Sequence, residues 1–238
     1  MRIDGRNPDQ LREVKLTTGF TKFAEGSCLI EMGNTMVLCN ASVEDRVPPH
    51  VEKGGWVTAE YSMLPRANRE RSKRDVAKLK LSPRSAEIQR LIGRSLRSAV
   101  DLEALEGYTI TIDCDVLQGD GDTRTASVTG GFVALALACR KLLEEGKIST
   151  MPLRSFVSGI SAGIVNNEAL LDLCYEEDSH AMVDLNCIMT EDGRIIELQG
   201  TGEGRPCTFE EQRKLLELCE KGNRELTVIQ RRCIGEIK

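Results

Sequence analysis

The order of the apolar runs constrains the fold of this 238-residue chain more than any other feature. Two short apolar runs within residues 26–43 are joined by a Gly-Asn pair, which is typical of a tight β-hairpin turn. A similar pair of runs occupies residues 156–174 and meets at two adjacent asparagines. Apolar residues at helical spacing follow in each half of the chain. The sequence therefore predicts two similar units, each built from strands and helices.

The remaining patterns give the predicted order βββαβα followed by ββββα. The predicted strands span residues 26–32, 35–43, 56–64, 108–117, 156–165, 169–174, 182–189 and 195–198. The predicted helices span residues 85–105, 125–145 and 209–234. No Pro-, Ser- or Gly-rich linker divides the chain. We therefore expect an α+β protein, residues 1–238 forming one domain of two pseudo-equivalent halves at 1–145 and 146–238.

Several classes of protein are disfavoured by simple counts. No run approaches the roughly 18 apolar residues that a membrane-spanning helix needs, and residues 1–6 are not followed by an apolar stretch typical of a secretory signal. The nine cysteines are odd in number and include no C-x-x-C, which predicts buried reduced thiols in a cytoplasmic protein. Two histidines exclude a three-His zinc site, and no nucleotide-binding glycine motif is present.

Positive charge is concentrated in one window. Residues 66–97 contain eleven basic and three acidic residues, a net charge of +8 in a chain whose total is -5. A solvated helix face is the ordinary explanation of such a window. However, residues 66–80 are poor in apolar side chains and show no helical stripe, which favours a mobile arm that contacts a polyanion. The basic residues at the start of this arm are Arg66, Arg69, Arg71, Lys73 and Arg74.

Residues 118–127 (QGDGDTRTAS) lie between a predicted strand and the most apolar predicted helix. Glycines allow the chain to turn there, and the free N–H groups of a helix start bind anions. Three hydroxyl groups and the planar guanidinium of Arg124 add donors suited to phosphate oxygens. A plain turn capped by Asp122 or Thr123 would explain the segment equally well. A calcium loop is disfavoured because the EF-hand spacing is missing.

A second group of polar residues contains Asp178 and Asp184. On one straight strand, residues six apart would be separated by roughly 20 Å, but the polar stretch between them can fold back. Two convergent carboxylates could hold Mg²⁺ or share general-acid duty, because each raises the pKa of the other. An acidic hairpin tip in water is the alternative. The position of Asp184 within an otherwise apolar strand argues against it.

Longer motifs carry a specific resemblance. They are residues 4–6 (DGR), 55–61 (GWVTAEY), 63–66 (MLPR), 87–97 (EIQRLIGRSLR), 123–127 (TRTAS) and 197–201 (ELQGT). Through these motifs the chain resembles the ribonuclease PH family of phosphate-dependent 3′-exoribonucleases, and the resemblance runs from residue 2 to about residue 210. Ring subunits of archaeal and eukaryotic exosomes share some of them. The strand that begins at Trp56 and the run 198–204 (LQGTGEG) look bacterial.

The resemblance implies a phosphorolytic nucleotidyltransferase that trims the 3′ ends of precursor tRNA and other RNA, with inorganic phosphate as co-substrate and nucleoside 5′-diphosphates as products. It implies a duplicated fold similar to domain 2 of ribosomal protein S5, assembled as a homohexameric ring, a trimer of dimers. The matching phosphate-binding residues are Arg84, Asp122, Thr123, Arg124 and Ser127. The matching acidic pair, Asp178 and Asp184, would hold Mg²⁺ or protonate the leaving 3′-oxygen. The basic residues of segment 66–80 would grip the RNA backbone.

Two departures from the family pattern bear on activity. Asp122 stands where the family has Gly, and a carboxylate about 4 Å from a bound phosphate would oppose it by about 1–4 kcal/mol. Ser82-Pro83 replaces glycines before Arg84, which predicts a stiffer loop. Two alternatives follow. One is a catalytically silent RNA-binding ring subunit, suggested by Asp122. The other is a metal-dependent hydrolytic nuclease built on four aspartates, Asp113, Asp115, Asp120 and Asp122.

Overall fold

Nine strands and four α-helices are present in the computed structural model, which describes residues 2–237. The strands are β1 Val14–Thr18, β2 Gly26–Met32, β3 Thr35–Glu44, β4 Trp56–Met63, β5 Thr109–Gln118, β6 Val157–Val165, β7 Glu168–Leu171, β8 Val183–Thr190 and β9 Ile195–Thr201. The α-helices are α1 Pro83–Ser98, α2 Thr123–Glu144, α3 Tyr175–Asp178 and α4 Phe209–Ile234. Short 3₁₀ turns occur at Asp75–Lys78 and Glu103–Leu105.

The strands form two sheets, one in each half of the chain. The first has the order β1-β2-β3-β5-β4 and is antiparallel except where β4 runs parallel to β5. The second has the order β7-β6-β8-β9 and is antiparallel throughout. In the middle of the second sheet, β6 is buried along its whole length. Its Gly159 faces Thr125 of α2, and the next residue, Ile160, faces Gly222 of α4, so helices cover both faces.

The central element is α2, which packs against β2 and β3 of the first sheet and against β6 of the second. At Gly26 an added Cβ would lie 1.9 Å from the carbonyl oxygen of Ala134, so the close crossing of α2 over β2 requires glycine. Among the described residues, α2 is the one helix that is long and apolar enough to cross a membrane by length and composition. Its most apolar stretch is 78% buried, as expected for the core helix of a two-sheet protein.

The α+β class is confirmed, and most predicted elements are present with ends shifted by a few residues. Helix α1 ends at Ser98, well before the predicted end, because the chain turns there to form a strand bridge between Val100 and Leu153. Strand β1 and the short helix α3 were not predicted. The expectation of free thiols is confirmed for all nine cysteines, seven of which are buried.

Candidate active site

A cleft with a volume of about 600 Å³ is lined by residues from both halves of the chain. Its walls come from the end of β4, the start of α1, the β5–α2 loop, α3 and the second sheet. The residues that line it are Met63, Asn68, Arg84, Gly119, Gly121, Asp122, Thr123, Arg124, Ser161, Leu173, Tyr175, Asp178, Ser179, Ala181, Asp184, Asn186 and Glu203. The cleft therefore contains most of the residues that the sequence singled out for phosphate and acid–base chemistry.

The start of α2 is positioned by an unusual backbone path. Gly121 and Asp122 both have left-handed φ angles, +78° and +57°. At Gly121 an added Cβ would lie 2.3 Å from the carbonyl oxygen of Leu173, so only glycine fits beneath the segment that leads into α3. This path leaves the main chain of Asp122 on the cleft, whereas its side chain, 1% exposed, points into the protein.

The buried side chain of Asp122 is fully engaged. Its Oδ1 accepts a hydrogen bond from the hydroxyl of Thr125 at 2.9 Å, and its Oδ2 accepts one from Ser161 at 2.9 Å. Arg12 Nη2 lies 3.3 Å from the same Oδ2 and 2.6 Å from Asp172 Oδ1. Asp122 therefore ties the start of α2 to β6 and to the N-terminal segment.

The pKa values of the two buried aspartates are shifted in opposite directions. Burial, followed by the negative charge of Asp172, raises the pKa of Asp122 well above its usual range, although Arg12 opposes the shift. Burial also disfavours ionised Asp172, but the charge and hydrogen bonds of Arg12 outweigh it, and the pKa of Asp172 is lowered. Asp122 is thus the carboxyl of this pair that takes up a proton more readily, and Asp172 is the one that stays ionised to lower pH. A carboxylate that faced the cleft would oppose a bound phosphate, but the Asp122 carboxyl points inward, to Thr125, Ser161 and Arg12.

The other predicted phosphate-binding residues differ in their exposure and in their hydrogen-bond partners. Arg84, the second residue of α1, lies on the cleft with an exposed side chain. The side chain of Arg124 is 20% exposed; its Nη1 donates to Gln199 at 2.8 Å and lies 3.7 Å from Glu87 Oε1. Thr123 Oγ1 is 2.9 Å from the hydroxyl of Tyr61.

Ser127 is not brought into the cleft. Its side chain is fully buried within α2, and its hydroxyl donates a hydrogen bond of 2.7 Å to the carbonyl oxygen of Thr123. Ser127 lies one helical turn further along α2 than Thr123, which lines the cleft, and is therefore set back from it. The groups that the start of α2 presents to the cleft are therefore the main chain at residues 121–123 and the side chain of Arg124.

The structure brings Asp178 and Asp184 together on the cleft, as the fold-back between them predicted. Burial raises the pKa of Asp184 to about 6, the negative charge of Asp178 adds to the shift, and Arg124 opposes it. Burial also raises the pKa of Asp178, against the positive charges of Arg84 and Arg124. The four side chains thus interact electrostatically across one cleft. Asn186 fixes Asp184 by donating to its Oδ2 at 3.0 Å.

The carboxylate pair is chemically suited to Mg²⁺. No group of three or more His, Cys, Asp or Glu side chains that could hold a metal ion occurs within residues 2–237. Mg²⁺, however, is commonly held by one or two carboxylates together with water and substrate phosphates. Asp178 and Asp184 therefore fit a magnesium ion shared with a phosphate-bearing substrate, and fit a purely protein-built metal cage poorly.

The aspartates of the hydrolytic-nuclease alternative do not form such a site. Asp113 and Asp115 lie on β5, where burial followed by the negative charge of Glu60 raises the pKa of Asp113 to about 6. Asp120 instead accepts hydrogen bonds from Asn34 and from the backbone N–H of Tyr175. With Asp122 buried against Arg12, these four carboxyls do not gather into a group of three or more that could hold a metal ion within the described part of the chain.

The predicted RNA-binding arm leads from β4 to α1 along one side of the cleft. Its basic side chains are exposed at Arg66, Arg69, Arg71, Lys73 and Arg74. The start of the arm is anchored, because Ala67 is buried and its carbonyl oxygen accepts a 2.8 Å hydrogen bond from the backbone of Gly119. Arg69 lies 3.5 Å from Glu176 of α3.

Several residues of the site were not singled out in the sequence analysis. Tyr61, Gln199 and Arg12 each support a cleft residue from a distant part of the chain, and Tyr175 lines the cleft directly. Tyr61 and Gln199 do fall within the motifs that carry the family resemblance, which is the one hint that the sequence offered.

Comparisons with known proteins match this chain over both halves. The family model described as "3′ exoribonuclease family, domain 1" matches residues 10–141, and that of domain 2 matches residues 155–222. Rrp46 of rice (Oryza sativa) has a similar structure, with a TM-score of 0.80 and 18% identity over 98% of this chain and 100% of that one.

Two archaeal structures are also similar. An Archaeoglobus fulgidus exosome, described with RNA bound to the active site, gives a TM-score of 0.78 at 24% identity, covering 94% of this chain and 91% of that one. An archaeal exosome core gives 0.75 at 24% identity, covering 97% and 90%. At these identities the structural matches establish a shared fold.

Proposed function

From the premise that this chain belongs to the RNase PH family of 3′ exoribonucleases, we propose that it is a phosphate-dependent 3′–5′ exoribonuclease. It shortens RNA by one nucleotide at a time and releases nucleoside 5′-diphosphates. The observation that carries the proposal is the convergence of Arg84 and Arg124 with Asp178 and Asp184 in one cleft. This set supplies cations for two phosphate groups and acids for a leaving group.

The chemistry brings two anions together, so catalysis is mainly electrostatic and positional. An oxygen of orthophosphate attacks the phosphorus of the terminal phosphodiester, a new P–O bond forms, and the bond to the 3′-oxygen of the preceding nucleotide breaks. Arg84, Arg124 and the backbone N–H groups at the start of α2 neutralise the attacking phosphate. Because phosphate brings its own nucleophilic oxygen, no water-activating base is needed.

The leaving 3′-oxygen requires a proton or an equivalent positive charge. The pKa of Asp184 is raised to about 6, so about a tenth of the molecules are protonated at this carboxyl at pH 7 and can donate to that oxygen. A magnesium ion held by Asp178 and Asp184 would supply positive charge to the scissile phosphate. Asn186 holds the Asp184 carboxyl in its orientation in either case.

The proposed substrates are precursor tRNA and other RNA 3′ ends, and the proposed assembly is a homohexameric ring, a trimer of dimers, in the cytoplasm. The exposed basic arm beside the cleft supports the substrate class, because polyphosphate backbones bind such segments through their charge. In a ring, the arms of neighbouring copies would form a basic rim around the clefts.

The test is a phosphate titration with a short single-stranded RNA and Mg²⁺. Nucleotide release should require orthophosphate, should yield diphosphates, and should not be supported by sulfate, which has a similar shape but makes no diphosphate. Nucleoside monophosphates in phosphate-free buffer would refute phosphorolysis. RNA binding without any nucleotide release would indicate a silent ring subunit instead.

A further inference from the structure

Tyr175 is the one aromatic side chain among the described residues that line the cleft. It is 49% exposed, although the residues before it, 172–174, are buried. It begins α3, the same short helix that ends at Asp178. An exposed ring three residues from a proposed reacting carboxyl presents a flat apolar face where the end of an RNA strand would lie.

The position of the ring is fixed from below. The backbone N–H of Tyr175 donates to Asp120 at 3.3 Å, and α3 is held by the buried ion pair between Glu177 and Arg2, whose charged atoms lie 2.6 Å apart. The β5–α2 loop packs so closely under this segment that only glycine fits at residue 121. The ring is thus an exposed group on a rigid support, the arrangement that a binding surface needs.

A cation accompanies the ring. The guanidinium of Arg69 lies 5.6 Å from the ring centroid, within the range of a cation–π interaction, and its side chain is largely exposed. A nucleotide presents an aromatic base and an anionic phosphate a few ångströms apart. Tyr175 and Arg69 offer the complementary pair of groups at the mouth of the cleft.

We propose that Tyr175 is a nucleobase-stacking platform that holds one base at the 3′ end of the RNA, with Arg69 on a flanking phosphate. Stacking suits an enzyme that must remove any nucleotide, because every base has a π face. This inference rests on the proposed function, since it takes RNA as the ligand. It adds a base-binding subsite to a cleft whose other polar groups face phosphate.

The test is a binding cycle in phosphate-free buffer with fluorescent RNA oligonucleotides that carry a single abasic residue at the last, second-last or third-last position. Tyr175→Ala should weaken binding of intact RNA by about 5- to 150-fold, which corresponds to the 1–3 kcal/mol of one base–aromatic stack. Tyr175→Phe should bind normally. Phe209→Ala, which removes an aromatic side chain that is 86% exposed and outside the cleft, is the matched control.

The decisive result is the coupling between ring and base. At one of the three positions, removing the base should weaken RNA binding by the parent about as much as Tyr175→Ala weakens binding of intact RNA. Removing the same base should weaken binding by Tyr175→Ala little further. Equal losses in parent and variant at all three positions, or normal binding by Tyr175→Ala, would overturn the platform. The KM for orthophosphate should stay unchanged in Tyr175→Ala. If the parent binds RNA but releases no diphosphate, the proposed function fails while this cycle still decides the stacking.

Discussion

Replacing Asp122 by Asn tests whether the buried carboxyl beside the proposed phosphate site is neutral. The two side chains have nearly the same shape; the Asn oxygen can still accept from Thr125, and its amide nitrogen takes the place of the oxygen that accepts from Ser161. If Asp122 is protonated in the folded protein, Asp122→Asn preserves its charge state. If Asp122 is ionised and paired with Arg12, the substitution leaves a buried cation with one partner fewer, which typically destabilises by about 3–5 kcal/mol.

The pH dependence gives the magnitude. The pKa of Asp122 is raised from an unfolded value near 3.8, so its contribution to stability is fully present below that value and is lost as pH rises towards the folded pKa. Over the pH range in which Asp122 is protonated in the folded protein but ionised in the unfolded chain, the free energy of unfolding falls by about 1.4 kcal/mol for each pH unit. Asn carries no such cost. The lowered pKa of Asp172 acts below pH 4 and does not interfere between pH 5 and pH 8.

We therefore expect the free energy of unfolding of Asp122→Asn, relative to the parent, to rise by about 1–4 kcal/mol between pH 5 and pH 8. Urea unfolding followed by circular dichroism at both pH values measures it. Asp192→Asn is the control: Arg194 and Thr190 lower the pKa of Asp192 to about 2, so its effect should be the same at both pH values. An Asp122→Asn variant that is less stable than the parent at pH 8 would show that the carboxyl is ionised and would refute the assignment.

Two further predictions concern activity and RNA binding. Asp184→Asn should lower turnover at least about a hundredfold, because it removes a positioned acid and a metal-binding charge, while RNA affinity stays within a few-fold; near-normal turnover would remove Asp184 from the mechanism. Replacing the basic residues of the arm by Ala should flatten the salt dependence of precursor tRNA affinity, lowering the log–log slope by about 0.7–0.9 for every phosphate that the arm no longer binds, with less effect on a very short oligonucleotide. A salt titration checks the second prediction, and an unchanged slope would show that the arm does not hold the RNA. The variant is Ala at Arg66, Arg69, Arg71, Lys73 and Arg74.

Where interactions between residues close in sequence determine the structure, the sequence alone predicted the elements and their ends. Helix α4 has the predicted ends because Thr208 and Glu211 form a capping box at its start and Gly235 takes a left-handed φ at its end. The hairpins likewise follow from turn residues with positive φ, such as Asn166 and Asn167. The cleft acids could be predicted because one polar turn separates them.

Long-range partners decided what the sequence could not show. The inward orientation of Asp122 depends on Arg12, 110 residues earlier, and on Ser161 in the other half. Nothing near Asp122 in sequence indicates either partner, so the sequence alone could not decide whether its side chain faces the cleft. Ser127 is a second example. From the sequence its hydroxyl could bind a ligand in the cleft or bond to its own helix, and in the structure it donates to the carbonyl oxygen of Thr123.

The fastening of the N-terminal segment to the second half has a consequence for how the molecule holds together. Arg2 bonds to Glu177 and Arg12 to Asp172, while α2 fills the space between both sheets. Neither half therefore has a complete hydrophobic core of its own. If the chain were cut within residues 145–156, the two fragments would stay associated through the buried ion pairs and the packing of α2. Either fragment produced alone would expose the apolar surface that the other covers.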